Sequence, residues 1–409
     1  LSSPPRPHPL ARSSNVDRAS RFFSTAWERG WIMHPPIDAA GLWAMAEEAA
    51  SDGDERGPRT EEDVADFRIR LESLTRSLQD DAKLSPLGHA FAHGQLWRAV
   101  RQRLELGALW SRDPEILVTD IQPPIIVVGQ MRSGTTRIHR LLAADPAHAA
   151  TRFCDSWNPV PRSPDTRPLW SALTLMCART LDPWIDSIHP MGVTRPDEEL
   201  GWLACALDHC AYEAQWRIPS YTAFSEARDP APVYREFARI LRTDAHFHGN
   251  ASKRRVLKVP QFAEDLGTLL QQFPDAAVVM TRRCQDDTAT SSASLVANQM
   301  TIQSDDVDLD WIHAETRRKI ELRRSRVEQA LDGFEGPLAI VDFDALGADW
   351  EAEIDRVYEA LGLVLSTEAI EAMREEQNRA AESSHSAHSA QLRAFAQQNH
   401  PGFQAEASR

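Results

Sequence analysis

Four short runs dominated by apolar residues mark the second part of the chain: Ile125–Val128, Arg255–Val259, Ala277–Thr281 and Pro337–Asp342. The first, Ile125–Val128, is short, β-branched and uninterrupted, which predicts a strand buried on both faces of a parallel sheet, and the others read as further strands. Each is followed by a helical pattern. The first leads into Ile138, Leu141, Leu142 and Ala143. The second leads into Phe262–Phe273, closed by Pro274-Asp275. The third leads into a helix reaching about Asn298 and then a long charged helix over Asp310–Leu331. The fourth leads into helices at Trp350–Leu361 and Glu368–Ala381. Alternating strand and helix predicts an α/β fold: a parallel sheet with right-handed crossovers, flanked by helices.

Residues 1–118 read as a helical N-terminal extension. Amphipathic spacing at Leu42, Ala46 and Ala49, and again at Val64, Phe67, Leu71 and Leu74, is separated by breakers at Pro35-Pro36 and Ser51–Pro58. A further helix is expected over Ala90–Trp110. The α/β unit then runs over 119–382, with a Trp- and Pro-rich helical insertion at about 151–250 between two sheet strands. Residues 383–409, rich in Ser, His, Ala and Gln, read as a C-terminal tail with little pattern.

Acidic residues number 60 against 45 basic ones, a formal net charge of −15. A body of that sign repels polyanions, so nucleic-acid binding is not expected, and any anionic ligand needs a local site. Five cysteines, an odd number with no CxxC pair, exclude a disulfide scaffold and a cysteine-rich metal site, and favour a reducing cytoplasm. No run approaches the ~20 apolar residues of a membrane span. Residues Leu1–Ser14 lack the apolar stretch of a signal peptide. Almost all cationic charge is arginine; the only lysines are Lys83, Lys253, Lys258 and Lys319.

The most specific motif follows the first strand: Gly129-Gln-Met-Arg-Ser-Gly-Thr-Thr136. Its glycines have the spacing of a phosphate loop, between a strand and a helix. Such glycines let the backbone wrap an oxyanion with successive N–H groups, and the helix N-terminus adds positive charge. The lysine that grips a nucleoside triphosphate is absent, and Thr135 stands in its place. Arg132 brings a cation into the loop instead. No convincing Mg²⁺-binding acid accompanies the loop. A metal-dependent kinase or nucleotide hydrolase is therefore the lesser alternative, and no metal is expected.

The loop resembles that of the sulfotransferases that use 3′-phosphoadenosine 5′-phosphosulfate (PAPS), in the bacterial branch with a Pro-Arg-Ser-Gly-Thr-Thr loop. Further segments are similar: Ser85–Gly88, Arg112–Ile116, Leu141–Pro146, Ile188–Pro190, Arg195–Glu199, Leu257–Pro260 and Phe273–Ala276. The resemblance implies that Arg132, Ser133, Gly134, Thr135 and Thr136 bind the 5′-phosphosulfate. It implies that Arg283, after the third strand, and Ser291 bind the 3′-phosphate. An arginine at a strand's carboxyl end points into the crevice where α/β sheets bind ligands and grips phosphate with paired charge-assisted bonds. Departures from the family pattern are Met131 for proline, Cys154-Asp155 for Trp-Glu, and Cys284-Gln285 and Phe262 near the third and second strands.

Sulfuryl transfer by in-line displacement requires positioning and fixed positive charge. Arg132 and Lys258 are the candidates for that charge. Deprotonating a hydroxyl acceptor needs a base. Asp155 stands at the family's glutamate position and is the first candidate; His189 is the second; Glu198 and Glu199 follow. Trp157, Trp170, Trp184, Trp202 and Trp216 either wall an apolar acceptor pocket or belong to the core. The expected activity is transfer from PAPS, leaving 3′-phosphoadenosine 5′-phosphate (PAP), to the hydroxyl of a small-molecule or lipid-like acceptor. The departures keep open a sulfotransferase-like protein that binds without catalysis.

Overall fold

The computed structural model describes residues 6–381 and Phe395. Five strands, β1 (Ile125–Val128), β2 (His148–Ala150), β3 (Arg254–Lys258), β4 (Ala277–Arg282) and β5 (Leu338–Asp342), form one sheet in the order β2-β3-β1-β4-β5. Every pairing is parallel. The four expected strands are present. Strand β2 is the addition: three residues, two of them alanine, pairing with Arg254–Val256 at the sheet's edge.

Helices α1 (Ser14–Glu28), α2 (Ala39–Ala49), α3 (Glu61–Asp80) and α4 (Pro86–Arg112) precede the sheet, and α5 (Thr135–Ala144) follows β1. The insertion carries α6 (Phe153–Trp157), α7 (Arg167–Leu181), α8 (Ile185–Ile188), α9 (Leu200–Cys205), α10 (Pro219–Glu226) and α11 (Ala231–His248). Then come α12 (Phe262–Gln272), α13 (Gln285–Gln303), α14 (Leu309–Leu331), α15 (Phe343–Ala348), α16 (Trp350–Ala360) and α17 (Thr367–Ala381). The tail expected over 383–409 lies outside the described residues apart from Phe395, which is buried. No helix among the described residues is long and apolar enough to cross a membrane.

The period of two along a strand divides the core. Ile126, Val128, Leu257, Val259 and Val278 face Phe237, Phe262, Leu266 and Trp202 on one side. Ile125, Val127, Val256 and Val279 face Ile138, Leu142, Val357 and Met373 on the other. Burial on both faces explains why β1 carries no polar alternation, whereas β5, at the sheet's edge, alternates and leaves Ile340 and Asp342 exposed. The N-terminal helices share a second core with the insertion, where Phe67, Leu74 and Leu96 meet Leu207, Tyr212, Trp216 and Tyr221. Arg59 and Glu236 clamp the two regions with a buried ion pair of 2.6 Å.

This order sets the functional geography. The central strand β1 has β3 on one side and β4 on the other. Their carboxyl ends bring together the phosphate loop from β1, Lys258 from β3 and Arg283 just beyond β4. Ligands of open α/β sheets bind at such a reversal of strand order.

Candidate active site

The loop after β1 turns tightly. A Cβ on Gly129 would lie 2.2 Å from Thr281 Oγ1, so a side chain cannot fit beside β4. Gly134 caps α5 with φ +93°, and a Cβ there would press on the Phe343 ring at 2.9 Å. Arg132 takes φ 67° without being glycine. A left-handed arginine is strained, and such strain gathers at ligand-binding loops. The loop therefore presents its backbone toward the start of α5, whose first N–H groups lack helical partners.

Arg132 is held by neutral groups. Its Nε donates to Ser291 Oγ at 3.0 Å and its Nη1 to the Ile188 carbonyl at 3.0 Å. Arg283 Nη1 donates to the Arg132 carbonyl at 2.9 Å, and its guanidinium lies 4.3 Å over the Phe343 ring. Among the described residues, neither arginine has a carboxylate within ion-pair distance, whereas most of the chain's other arginines form salt bridges. Burial first, and then the charge of Arg283, push the Arg132 pKa down to about 10. A desolvated Arg132 beside a half-buried Arg283, with no acid against either among the described residues, forms a site that an anion stabilises.

Lys258 extends this positive zone. Its buried Nζ donates to Thr136 Oγ1 at 3.1 Å and bonds Glu198; its N–H donates to Glu199 Oε2 at 2.8 Å. Beneath the loop, on α5, burial, then Lys258, then Arg140 push His139 down to about 3.

The structure brings most of the expected residues together. Arg132, Gly134, Thr135, Thr136, Lys258, Arg283 and Ser291 lie on or against the loop. His189 follows Ile188, and Arg140 of α5 fixes the next residue by donating to the Pro190 carbonyl at 2.7 Å. The His189 ring stands 3.6 Å from Asp197. Ser133 differs from expectation. Its hydroxyl donates to the Gln130 carbonyl at 2.6 Å and meets Thr281 Oγ1 at 2.7 Å, and its N–H also turns to Gln130. Ser133 braces the loop rather than offering its side chain to a ligand.

Asp155 also differs. Its carboxylate is buried among Arg152 at 2.5 Å, Arg167 at 3.1 Å and His248 at 3.2 Å. Burial raises its pKa, but hydrogen bonds from His248 and Arg152 and the charge of Arg167 outweigh it and hold the group well below the usual carboxylate range. A carboxylate so stabilised is a weak proton acceptor. Its partners come from α6's own N-cap, α7 and α11, not from the loop. Asp244 and His248 complete a group with metal-like closeness, yet Arg152, Arg167 and Arg255 already neutralise its carboxylates. The acid that does reach the loop is Glu198, through Lys258. Glu199, beside it, is fully buried; burial pushes its pKa up to about 8 against the hydrogen bond from the Lys258 N–H.

A small cleft, with about 40 Å³ of free volume, adjoins the loop at Gln130 and Met131. Of the tryptophans considered from sequence, Trp184, Trp202 and Trp216 are core, Trp216 also touching the cleft; Trp157 packs against the second core, and Trp170 is exposed. Trp311, at the start of α14, supplies a second aromatic wall that no sequence motif marked.

Comparison with known proteins agrees with this arrangement. A family described as the Sulfotransferase family matches residues 123–367. The crystal structure of sulfotransferase STF1 from Mycobacterium tuberculosis is similar at 29% identity and TM-score 0.73, over 87% of this chain and 97% of that one. That of sulfotransferase STF9 from Mycobacterium avium shares the fold at 20% identity and TM-score 0.73, over 85% and 89% of the two chains. A search of curated proteins gives no match.

Two outcomes follow from the carboxylates. Replacing Asp155 with Asn leaves Arg152 and Arg167 underpaired in a buried setting, so Asp155→Asn should lose about 3–5 kcal/mol of stability in urea unfolding; wild-type stability would contradict the structural role. Glu199 binds its proton more tightly folded than unfolded. Its stabilising effect is therefore complete below its unfolded pKa and lost as pH rises toward about 8. Thermal unfolding at acidic and mildly alkaline pH should show a decline that Glu199→Gln flattens, by up to about 1.4 kcal/mol per pH unit. Identical pH slopes in the two proteins would refute this.

Proposed function

The chain belongs to the sulfotransferase family, and from that premise we propose that it moves a sulfuryl group from PAPS to a hydroxyl of a small-molecule acceptor. The observation that carries the donor assignment is the pair Arg132 and Arg283: adjacent, with Arg132 desolvated and neither meeting a carboxylate among the described residues, beside a glycine-shaped loop at the N-terminus of α5. The residues fit a nucleotide carrying phosphates at both ends. The loop amides, Arg132, Thr135 and Thr136 would hold the 5′ side, and Arg283 with Ser291 the 3′-phosphate. When bound, PAPS supplies an activated sulfuryl group whose leaving oxygen gains negative charge.

The chain's own residues then have distinct tasks. Arg132 and Lys258 concentrate positive charge where that oxygen develops, inside a desolvated site where charge acts strongly. Glu198 is the proton acceptor in this reading. It is partly exposed and tied through Lys258 to Thr136, so a hydroxyl presented to the loop lies near its carboxylate. His189 is the second reading, favoured by the grip of Arg132 on the preceding carbonyl. The arrangement asks for no metal ion, because fixed guanidinium, ammonium and amide groups supply the charge.

Donor binding is checked by calorimetry. Arg283→Ala should weaken PAP by about 2–4 kcal/mol, because a phosphate loses its charged partner. The same substitution should leave adenosine 5′-phosphosulfate, which has no 3′-phosphate, nearly unaffected. Equal losses for both nucleotides would move the 3′-phosphate site elsewhere. Glu198→Gln should lower turnover by about 10²–10⁴ with PAP affinity retained, as for removal of a general base. If instead His189→Ala shows that loss and Glu198→Gln does not, the proton acceptor is His189.

A further inference from the structure

We propose that α1, the segment after it and α7 together form a face that rests on an anionic lipid bilayer. This goes beyond the sulfuryl-transfer reading and does not depend on it. The starting point is α7. A surface helix normally buries its apolar stripe and shows charge to water. In α7 the arrangement is inverted. Arg167 and Ser171 are buried beside Leu175, where Arg167 donates to Asp165 at 2.8 Å and Ser171 accepts from Asn158 at 3.2 Å. The side turned to solvent is apolar: Leu169, Trp170 and Met176 are each 60% exposed, and Leu173 is 43% exposed. The helix carries no carboxylate, and its exposed Arg179 is already paired with Asp186 at 2.8 Å.

The stripe does not end with α7. Leu169, Leu173, Met176 and Thr180 follow the three-to-four-residue spacing of one helix face. The Thr180 carbonyl accepts from Asn15 Nδ2 of α1 at 2.8 Å. From Asn15 the same spacing leads along α1 through Arg18 and Phe22 to Arg29, all three exposed. The opposite side of α1 is buried, where Val16, Ala19 and Phe23 pack with Leu87 and Leu181. Arg29 lies 5.1 Å over the ring of Trp31, which opens a row of exposed apolar residues with Ile32 and Met33. Of the thirteen large apolar side chains that the described residues expose, eight lie on α1, this row and α7, so the exposure is gathered rather than scattered.

Charge selects the partner. Arg18, Arg21 and Arg29 are exposed and form no salt bridge with the described residues; Arg18 donates only to Asn15. The acids of α1 are Asp17, already paired with Arg12 at 2.8 Å, and Glu28. The face is therefore locally basic in a chain of net charge −15. A two-fold contact between copies would bring this positive face against itself. An anionic bilayer accepts both of its parts. Tryptophan and phenylalanine settle at the depth of the headgroups, and arginines meet the lipid phosphates. The contact is with the bilayer surface, since no helix among the described residues is long and apolar enough to cross it.

Co-sedimentation of the whole protein with lipid vesicles tests this. Vesicles of phosphatidylglycerol with phosphatidylcholine should pellet it, and vesicles of phosphatidylcholine alone at least about tenfold less well, because each arginine gains from lipid charge. High salt should weaken the binding. Arg18→Gln combined with Arg21→Gln, and separately Trp31→Ser combined with Met33→Ser, should each weaken it about tenfold or more. Leu173→Glu, which sets an acid in the stripe of α7, should do the same. Val364→Ser, which removes an exposed apolar side chain elsewhere on the surface, should leave binding unchanged. These side chains are all exposed, so thermal unfolding of each variant should match the wild type and reports correct folding. Failure to pellet with the phosphatidylglycerol vesicles, equal binding to both kinds of vesicle, or full binding by the Leu173→Glu protein would overturn the proposal. So would a dimer in sedimentation velocity that binds no vesicle and that Leu173→Glu dissociates; the face would then belong to a second copy of the chain.

Discussion

Two like charges held side by side, one of them desolvated, set the terms for the rest of this molecule. Burial penalises the charge of Arg132, and the neighbouring Arg283 repels it. The fold holds them with neutral acceptors alone: the Ile188 carbonyl, the Ser291 hydroxyl, the Arg132 carbonyl and the Phe343 ring. Several other buried cations are held differently. Arg59, Arg167, Lys319 and Arg323 are each matched to carboxylates. An arginine pair that meets no carboxylate among the described residues, placed at a phosphate-type loop, argues for an anion as the missing partner, in a protein whose overall charge is strongly negative.

That pair needs a rigid support. The parallel sheet gives it by aligning the carboxyl ends of β3, β1 and β4, so three adjacent strands deliver lysine, loop and arginine to one crevice. The insertion contributes from the outside. Its Ile188 carbonyl receives Arg132, its Glu198 receives Lys258, and Trp216 walls the cleft. The N-terminal region supports the site by sharing a core with the insertion, by fixing α11 through the Arg59–Glu236 pair, and by packing Leu10 with Met131 and α13.

The sheet was legible in the chain because strands buried on both faces leave uninterrupted apolar runs, as Ile125–Val128 does. Strand β2 was not, because His148-Ala-Ala carries no β-branched residue and becomes a strand only by pairing with β3. The loop was legible because glycine spacing is a local backbone requirement, visible at Gly129 and Gly134. Roles that depend on distant partners were not. Asp155 looked like a base by position. Its neutralising groups, Arg167 and His248, lie far along the chain and meet it only in the fold. Ser133 looked like a ligand contact until Thr281 of β4 came within 2.7 Å. Trp311 gave only the pattern of a charged helix, yet it faces the cleft.

The central claim is that fixed cations, without a metal, activate a sulfuryl group rather than a triphosphate. Incubating the protein with ³⁵S-labelled PAPS, excess EDTA and a metabolite extract tests it most directly. The account predicts label transferred to an organic acceptor, dependent on Arg132 and undiminished by EDTA, with ATP left intact in parallel. Absence of transfer together with Mg²⁺-restored turnover of ATP would contradict it.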